Sequence, residues 1–299
     1  MLSKNNLSIV IVSFASNDVI FNCINSISSK IDIVVIENSN NQNLKVELEK
    51  KYKNVKCFLN SSNNGMGAGN NYGLSKIDTD YALILNPDVI LEKLTIDELI
   101  NASKKINEFS ILAPVHSNND YPNYKINKNK NSNNLPNLID VVSVDGYAML
   151  INLKRVQQVL NLENLNIFDE NIFMYLENDD LCKRLLEANE NIYVVKSSKI
   201  KHLGAKGVSE IFKYQVELSR NWHWSWSRFY FKKKHYGFYI AFIKELPRAI
   251  SSLIKNFIYF VVNSKKKEIY SCRFKGFLNA FLGRPSSYRP RINIKNLDN

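Results

Sequence analysis

The stretch YALILNPDVI, residues 81–90, indicates how this chain folds, because a run of apolar residues passes directly into a polar turn. A short, continuously apolar run is typical of a strand buried on both faces of a sheet. Pro87 fixes its own φ and has no N–H, so it ends the hydrogen-bond ladder of the strand. Asp88 is therefore expected to project from a rigid turn at the carboxyl end of a buried strand.

Similar strands recur along the first two thirds of the chain and alternate with helical patterns. The predicted strands lie at 7–14, 31–38, 55–60, 81–86, 110–114, 141–144 and 191–195. The predicted helices lie at 18–28, 43–52, 93–108, 154–160 and 180–189. This alternation predicts βαβ units in an α/β fold whose mostly parallel sheet is flanked by helices. The polar, Asn-rich region 116–138 predicts a long surface loop.

Composition and charge narrow the class of protein. Of 299 residues, 45% are apolar and 23% are charged, so the chain can bury a full core and is not a disordered protein. The net charge of +12 is unevenly spread: residues 1–198 hold 19 Lys and Arg against 23 Asp and Glu, whereas residues 199–299 hold 21 against 5. The basic last third indicates an anionic partner, nucleic acid or membrane, although a solvated helical surface explains the same charge.

The cysteines and the N-terminus bear on the cellular compartment. The cysteines are far apart and form no CxxC pair, which argues against a disulfide framework or a zinc site and indicates a reducing cytoplasm. Residues 1–14 contain a seven-residue apolar run after one lysine, without a small-residue cleavage site. We interpret this segment as a first strand that begins at residue 7 and not as a signal peptide.

From about residue 210 the chain becomes an aromatic and basic helical segment, so we predict one domain over 1–209 and a basic helical region over 210–299. The longest uncharged apolar-rich run, 256–264, is much shorter than the roughly 20 residues that a membrane-spanning helix needs. Aromatic residues between lysine clusters at 232–234 and 265–267 are typical of helices lying in a membrane interface. An ordinary helical subdomain that packs its aromatic residues inward is the alternative.

Polar residues fall at several predicted strand ends, where open parallel sheets bind their ligands. They are Ser13 and Phe14, Glu37 and Asn38, and Asn86 and Asp88. A carboxylate at such an edge is suited to a hard divalent cation that bridges phosphates. Taken alone, Asn-Pro-Asp is also simply a good turn.

The glycine-rich stretch NSSNNGMGAGNNYGL, 60–74, follows the third strand. Its spacing is GxGxG instead of the GxGxxG of dinucleotide-binding proteins, so it supports a nicotinamide site only weakly. Glycine and asparagine at a strand-to-helix turn can still approach the phosphates and ribose of a nucleotide. A tight turn with capping asparagines is the structural alternative.

The stretch FDENIFMYLENDDLCKRLLEANE, 168–190, places Glu177 at or just before the start of a helix. The helix dipole favours an ionised carboxylate there, and such a group could accept a proton from a hydroxyl. An acidic capping cluster is the alternative. Asp180 and Arg184 are spaced for an i, i+4 ion pair. His202 follows a predicted strand end, where a lone histidine is more often structural than functional.

Read in order, these segments resemble glycosyltransferase family 2, in particular the bacterial rhamnosyltransferase-like branch that elongates cell-surface glycans. The resemblance covers about 7–209: IVIVSF, ENS at 37–39, NNGMGAGNNYGL at 63–74, LILNPDV at 83–89, DGYAMLINL at 145–153, FDENIFMYLENDDLCKRL at 168–185 and HLGAKGVS at 202–209. It implies a GT-A fold over 1–209, a nucleotide-diphosphate-sugar donor, Mn²⁺ or Mg²⁺, and inversion at the anomeric carbon.

The resemblance also assigns roles to single residues. It places three residues at the nucleobase: Ser13, Phe14 and Asn38. It places four against ribose and phosphates: Asn64, Gly65, Asn70 and Asn71. Asn86 and Asp88 occupy the positions of the metal-binding DxD motif, and His202 matches a histidine that often completes the metal site.

Two departures from the family pattern affect these roles. Asn86 is a neutral, weaker ligand than the usual aspartate, so we assign it to the donor and leave the metal affinity open. Asn178 stands where the family commonly has an aspartate that acts as base, and an amide cannot accept a proton at neutral pH. We therefore expect Glu177 to be the base, with Asp179 or Asp180 as fallbacks. Asp180 is better suited to supporting Arg184.

The resemblance further implies the partners and the location. We expect a dTDP-linked or UDP-linked sugar, with rhamnose as the leading suggestion, and a glycan or lipid-linked acceptor. The basic C-terminal region would dock the protein on the anionic inner face of the cytoplasmic membrane. A noncatalytic carbohydrate- or membrane-binding module on a degenerate GT-A fold is the alternative, because Asn86 and Asn178 replace acidic residues. We expect no nucleic-acid partner, since no nucleic-acid-binding motif is recognisable.

Overall fold

The computed structural model describes residues 1–106, 108–118, 122–127, 136–204 and 207–290. The described chain divides into two compact units. The first holds Met1–Asp169 and Asn178–Ser209, and the second holds Glu170–Glu177 and the residues from Glu210 onward.

The strands of the first unit form a mixed sheet. They are β1 Leu7–Ser13, β2 Asp32–Glu37, β3 Val55–Leu59, β4 Tyr81–Leu85, β5 Val89–Leu91, β6 Ile111–His116, β7 Tyr124–Ile126, β8 Leu138–Val144, β9 Ala148–Asn152 and β10 Ile192–His202. The order is β3-β2-β1-β4-β9-β6-β10-β8-β7, and β5 pairs with β10. Strands β3, β2, β1 and β4 are mutually parallel, as are β6 and β10, whereas β9 runs antiparallel between them.

Helices connect and flank these strands. After a short 3₁₀-helix at Lys4–Asn6, they are α1 Asn17–Asn25, α2 Gln42–Lys51, α3 Gly65–Leu74, α4 Thr95–Ser103, α5 Leu153–Val159 and α6 Glu177–Glu187. Every residue of β1 and β4 is buried, as expected for strands covered on both faces. The strands and helices predicted from the sequence are confirmed, with ends that differ by a few residues and with β10 extending to His202.

The glycine-rich stretch forms helix α3 itself and not only a turn before a helix. A Cβ added at Gly73 would lie 2.3 Å from Val10 Cγ1, and one added at Gly69 would lie 2.8 Å from Val12 Cγ1. These glycines therefore let α3 pack directly on β1, which a larger side chain would prevent. The close approach fixes the position of the asparagines that α3 carries.

The region 116–138 is not a continuous loop. His116 ends β6, Tyr124–Ile126 form β7, and β8 begins at Leu138. Strand β7 pairs with β8, which gives this polar segment backbone partners despite its weak strand pattern. The rest of the predicted loop, 119–121 and 128–135, lies outside the described residues.

The second unit is helical. A 3₁₀-turn at Glu210–Phe212 is followed by α7 Lys213–Tyr236, α8 Phe238–Val262 and α9 Ser264–Phe281. Aromatic side chains of α7 and α9 form its core, chiefly Trp222, Trp226, Phe229 and Phe277. The aromatic run of α7 therefore largely packs inside this unit. Within the described part of the chain, no helix is both long and apolar enough to cross a membrane.

Candidate active site

Strands β2, β1 and β4 are neighbours, and they bring the predicted strand-end residues to the side of the sheet at which all three strands end. We call this side the strand-end edge. Because these strands are parallel, their carboxyl ends lie side by side. The Asn38 backbone N–H donates to the Ser13 carbonyl oxygen at 2.8 Å, which joins the first two ends directly. Asn86 follows β4 at the same edge.

Asp88 and His202 are brought together by strand pairing. Strand β5 pairs antiparallel with the end of β10, so Val89 lies opposite His202, and the Leu203 N–H donates to the Asp88 carbonyl oxygen at 3.0 Å. The Asp88 carboxylate is buried, and its Oδ2 lies 3.4 Å from His202 Nε2. Two residues more than 100 positions apart in the sequence thus form one acid–imidazole pair.

Tyr147 supports this pair, and the sequence assignments missed it. Its ring stacks on the His202 imidazole with centroids 4.1 Å apart, and its carbonyl oxygen accepts from the Asn86 N–H at 2.9 Å. Burial, and then the nearby Asp145 and Asp88 carboxylates, raise the pKa of Tyr147, so its hydroxyl stays protonated at neutral pH. Tyr147 belongs to the motif DGYAMLINL at 145–153, which the sequence resemblance singles out. Its ring could not be placed beside His202 without knowing the fold of the turn that begins this motif.

Asp145 is a second residue that the sequence assignments missed. It lies in the turn between β8 and β9, partly open to solvent. Burial by the surrounding residues and then the Asp179 carboxylate raise the pKa of Asp145, while Lys125 and His202 oppose that shift. Asp179 itself forms an ion pair with Lys125 of β7 at 2.8 Å. Asp145 therefore adds a carboxyl group to the side of the site that His202 occupies.

The site suits a divalent cation only in part. Among the described residues, no group of three or more His, Cys, Asp or Glu side chains is placed to hold a metal ion. Asp88 and His202 nevertheless offer one carboxylate and one imidazole, and metals that act on nucleotides usually take further ligands from phosphates and water. A Cβ at Gly207 would lie 3.4 Å from Asp88 Cγ, so glycine leaves space beside the carboxylate that a side chain would fill. The residues present therefore fit a cation shared with a bound diphosphate.

Three predicted donor-binding residues carry buried polar atoms that have no hydrogen-bond partner within the described residues. These atoms are Ser13 Oγ, Asn70 Oδ1 and Asn86 Oδ1. Buried polar groups in folded proteins are nearly always satisfied, so unsatisfied ones need a specific explanation. A polar ligand at the strand-end edge would supply the missing partners.

Two of the other predicted donor residues, Asn38 and Asn71, are held by hydrogen bonds within the protein. Asn38 donates to the Gly65 carbonyl oxygen at 3.1 Å and accepts from Asn60 at 2.6 Å. The Asn71 side chain exchanges two hydrogen bonds with the backbone of Phe168, each 2.9 Å. Phe14 is half-buried, and Asn64 is exposed just before α3. Asn71 thus fixes the backbone at Phe168.

Glu177 is the first residue of α6 and is buried. Tyr175 and Leu176 precede it with φ of 69° and 71°, a left-handed conformation that non-glycine residues adopt at an energetic cost. Two contacts from helix α7 hold this segment. Ser227 Oγ donates to the Met174 carbonyl oxygen at 2.8 Å. The ring of Trp224 packs edge-on against that of Tyr175, with ring centroids 5.3 Å apart. The strained backbone immediately before Glu177 is a feature found preferentially at functional sites.

The residues after Glu177 have structural partners. Asn178 Nδ2 donates to the Val144 carbonyl oxygen at 2.7 Å, a bond that an ionised aspartate could not make. Asp180 is fully buried and accepts from Arg184 Nε at 2.9 Å, so the predicted i, i+4 ion pair is confirmed. The amide of Asn178 thus contributes to packing, and the Asp180 carboxylate is paired with Arg184.

A sequence model described as Glycosyl transferase family 2 matches residues 8–168, which is more than half of the chain. The chain belongs to glycosyl transferase family 2. Low-salt glycan biosynthesis hexosyltransferase Agl10 of Haloferax volcanii is 28% identical over 205 residues. That match covers 63% of this chain and 64% of Agl10, just under two thirds of the relative's length.

Solved structures of glycosyltransferases share the fold of this family 2 chain. TarS 1–349 of S. aureus superposes with a TM-score of 0.51 at 14% identity, covering 93% of this chain and 92% of that one. GalNAc-T7 with UDP, GalNAc and Mn²⁺ superposes with a TM-score of 0.53 at 15% identity, covering 94% of this chain and 57% of GalNAc-T7. The mannosyltransferase PcManGT of Pyrobaculum calidifontis, with GDP-Man and Mn²⁺, superposes with a TM-score of 0.53 at 8% identity, covering 93% of this chain and 87% of PcManGT. The expected GT-A fold is confirmed.

Glu37 organises the loop after β2 in this family 2 chain. Its fully buried carboxylate accepts from the backbone N–H groups of Ser39 at 3.0 Å and Asn41 at 2.7 Å, and from Ser39 Oγ at 2.5 Å. Burial raises the pKa of Glu37 above its ordinary value, and these hydrogen bonds only partly oppose that shift. The loop that carries Asn38 therefore depends on a buried carboxyl group whose ionisation is unfavourable.

The stability of the protein should reflect this raised pKa. A carboxyl group whose pKa is higher in the folded state stabilises the fold most at low pH, and the contribution is lost as the group ionises. We expect the free energy of unfolding of the wild type, relative to Glu37→Gln, to fall as pH rises above 4.5, the ordinary carboxyl value. Denaturant unfolding of both proteins across pH measures this difference. A difference that grows with pH would contradict this expectation.

Proposed function

We propose that this chain is an inverting hexosyltransferase that moves a sugar from a nucleotide-diphosphate donor to a hydroxyl group of a glycan or lipid-linked acceptor. One observation carries the proposal: the Asp88–His202 pair lies at the same sheet edge as the unsatisfied polar atoms of Ser13 and Asn86. Such an edge suits a ligand that combines a polar nucleoside with a charged diphosphate. Membership of glycosyl transferase family 2 supports the same reaction class.

The strand-end edge, the sequence resemblance and the relatives together indicate the chemical class of the donor. A dTDP-linked or UDP-linked sugar fits the proposal, and rhamnose is the sugar that the sequence resemblance suggests. The hexosyltransferase name of Agl10 in low-salt glycan biosynthesis supports transfer of a hexose into a glycan. The GalNAc-T7 structure contains UDP and Mn²⁺, and the PcManGT structure contains GDP-Man and Mn²⁺, which supports a metal-assisted donor site.

The proposed reaction is one in-line displacement. The base removes the proton of the acceptor hydroxyl, and the oxygen attacks the anomeric carbon from the face opposite the diphosphate. The bond from that carbon to the diphosphate oxygen breaks as the new glycosidic bond forms, and its electron pair leaves with the nucleoside diphosphate. One displacement inverts the anomeric configuration without a covalent sugar–enzyme intermediate.

We assign the base to Glu177. Asn178 has no basic group, Asp180 is engaged by Arg184, and Asp179 is paired with Lys125. Glu177 begins α6 after two residues with left-handed backbone, a placement that costs energy and so favours a functional role. Its position at a helix N-terminus favours the ionised form that a base requires.

Asp88 and His202 would hold Mn²⁺ or Mg²⁺ at the donor site. A cation there supplies positive charge against the negative charge that develops on the leaving diphosphate. The protein contributes the burial of Asp88, the Tyr147 ring that orients His202, and the amide of Asn86 as a donor contact.

The first prediction of the proposed function concerns donor binding. Asp88→Ala removes the carboxylate, so Mn²⁺ should no longer increase the thermal stabilisation that UDP or dTDP gives to the protein. Differential scanning fluorimetry with each nucleotide, with and without Mn²⁺, measures the effect. Asp80→Ala removes a carboxylate at the opposite end of β4 and should leave the metal dependence intact. Unchanged metal dependence in Asp88→Ala would make Asp88 a turn residue only.

The second prediction concerns the base. Glu177→Gln keeps the side-chain shape but cannot accept a proton, so turnover should fall by about a hundredfold or more. Donor binding, measured by the same thermal shift, should stay close to that of the wild type. Normal turnover in Glu177→Gln would remove Glu177 from this role. Parallel measurements on Asp145→Asn and Asp179→Asn would then identify the carboxylate that replaces it.

A further inference from the structure

Helix α8 turns a large apolar surface toward solvent. Toward its C-terminal end, Ile258, Phe260 and Val262 are exposed. Six further apolar side chains, between 47% and 87% accessible, recur along the helix: Tyr239, Ile243, Ile250, Ile254, Phe257 and Val261. At 3.6 residues per turn these positions fall in one sector of about 60° and extend over about 33 Å of the helix. We call this set the apolar stripe.

The opposite side of α8 makes the packing contacts, although it is the less apolar side. The buried residues of the helix are Ala241, Glu245, Ala249 and Ser252. Glu245 forms ion pairs with Arg228, at 3.0 Å, and with Lys232, both on α7. Surface helices normally bury their apolar side and expose their polar side. The apolar stripe therefore does not serve the packing of this unit.

Basic residues are exposed on one flank of α8. At 3.6 residues per turn, Lys244, Arg248 and Lys255 lie about 80–120° around the helix from the apolar stripe, and Lys265 and Lys266 are exposed just beyond the end of α8. Glu245, the acidic residue of this helix, is buried. Residues 210–299 hold 18 lysine and arginine residues against 5 acidic ones, so the surroundings are also strongly basic. The surface thus combines exposed apolar area with positive charge.

We propose that the apolar stripe docks this chain on an anionic lipid bilayer, with α8 lying in the plane of the membrane. Large apolar side chains would enter the boundary between headgroups and acyl chains, while the lysine and arginine side chains reach lipid phosphates. The in-plane orientation agrees with the lack of a membrane-crossing helix among the described residues. A second copy of the chain is the less suitable partner, because joining two stripes would bring two strongly basic surfaces together.

Vesicle flotation tests this proposal on the full chain. The protein should float with vesicles of equimolar phosphatidylglycerol and phosphatidylcholine at low salt, and much less with phosphatidylcholine alone. The triple variant Ile243→Gln, Ile254→Gln, Phe257→Gln should bind the anionic vesicles at least about tenfold more weakly, because it removes apolar area that enters the lipid. The matched control Val46→Gln, Leu94→Gln, Ile211→Gln changes exposed apolar residues elsewhere and should bind like the wild type.

A second variant keeps the test independent of folding effects in the first. Lys244→Gln with Lys255→Gln retains the stripe and should weaken binding to anionic vesicles while leaving the thermal melting temperature unchanged. Wild-type protein that stays unbound at low salt would overturn the proposal, as would undiminished binding by the stripe variant. Sedimentation velocity without lipid gives the remaining contrary result: a wild-type dimer that the stripe variant converts to monomer would assign the surface to a second copy.

Discussion

The structure depends on the burial of β1 and β4 on both faces of the sheet. In a strand covered on both faces a polar side chain needs a hydrogen-bond partner, as Ser8 of β1 has in Thr79, so most polar groups collect where the strand ends. Pro87 stops the pairing of β4, and the chain re-enters the sheet as β5 against the end of β10. That return brings Asp88 to within 3.4 Å of His202. The acid–imidazole pair is thus a consequence of how a buried apolar strand is terminated.

The sequence predicted the strands well because they are continuously apolar, and it predicted the polar strand ends because parallel strands share one edge. It did not predict β5, β7 or β9, and an apolar pattern alone does not show that a strand such as β9 runs antiparallel within the sheet. Asp145 and Tyr147 precede β9, so their approach to His202 was invisible without this topology. Helix α3 was missed as a helix because glycine lowers helix propensity, and only its packing against Val10 and Val12 explains Gly73 and Gly69.

The two departures from the family pattern have different structural meanings. Asn178 donates a hydrogen bond to the Val144 carbonyl oxygen and fits closely beside Gly146, so the amide contributes to packing between α6 and the turn before β9. Asn86 instead has a buried, unsatisfied oxygen at the strand-end edge. The unsatisfied oxygen indicates a polar ligand, which an enzyme and a binding module would share. The strained backbone before the proposed base Glu177 is the feature that favours an enzyme.

We propose that the carboxyl ends of β1, β2 and β4 bind a nucleoside diphosphate. Isothermal titration of the wild-type protein with UDP, dTDP and GDP, each with and without Mn²⁺, measures this binding. We expect saturable binding of one of these diphosphates that Mn²⁺ strengthens, because Asp88 would hold the cation whose positive charge favours the diphosphate. If none of the three nucleotides binds, with or without the metal, the strand-end edge is not a donor site and the degenerate binding module becomes the better explanation.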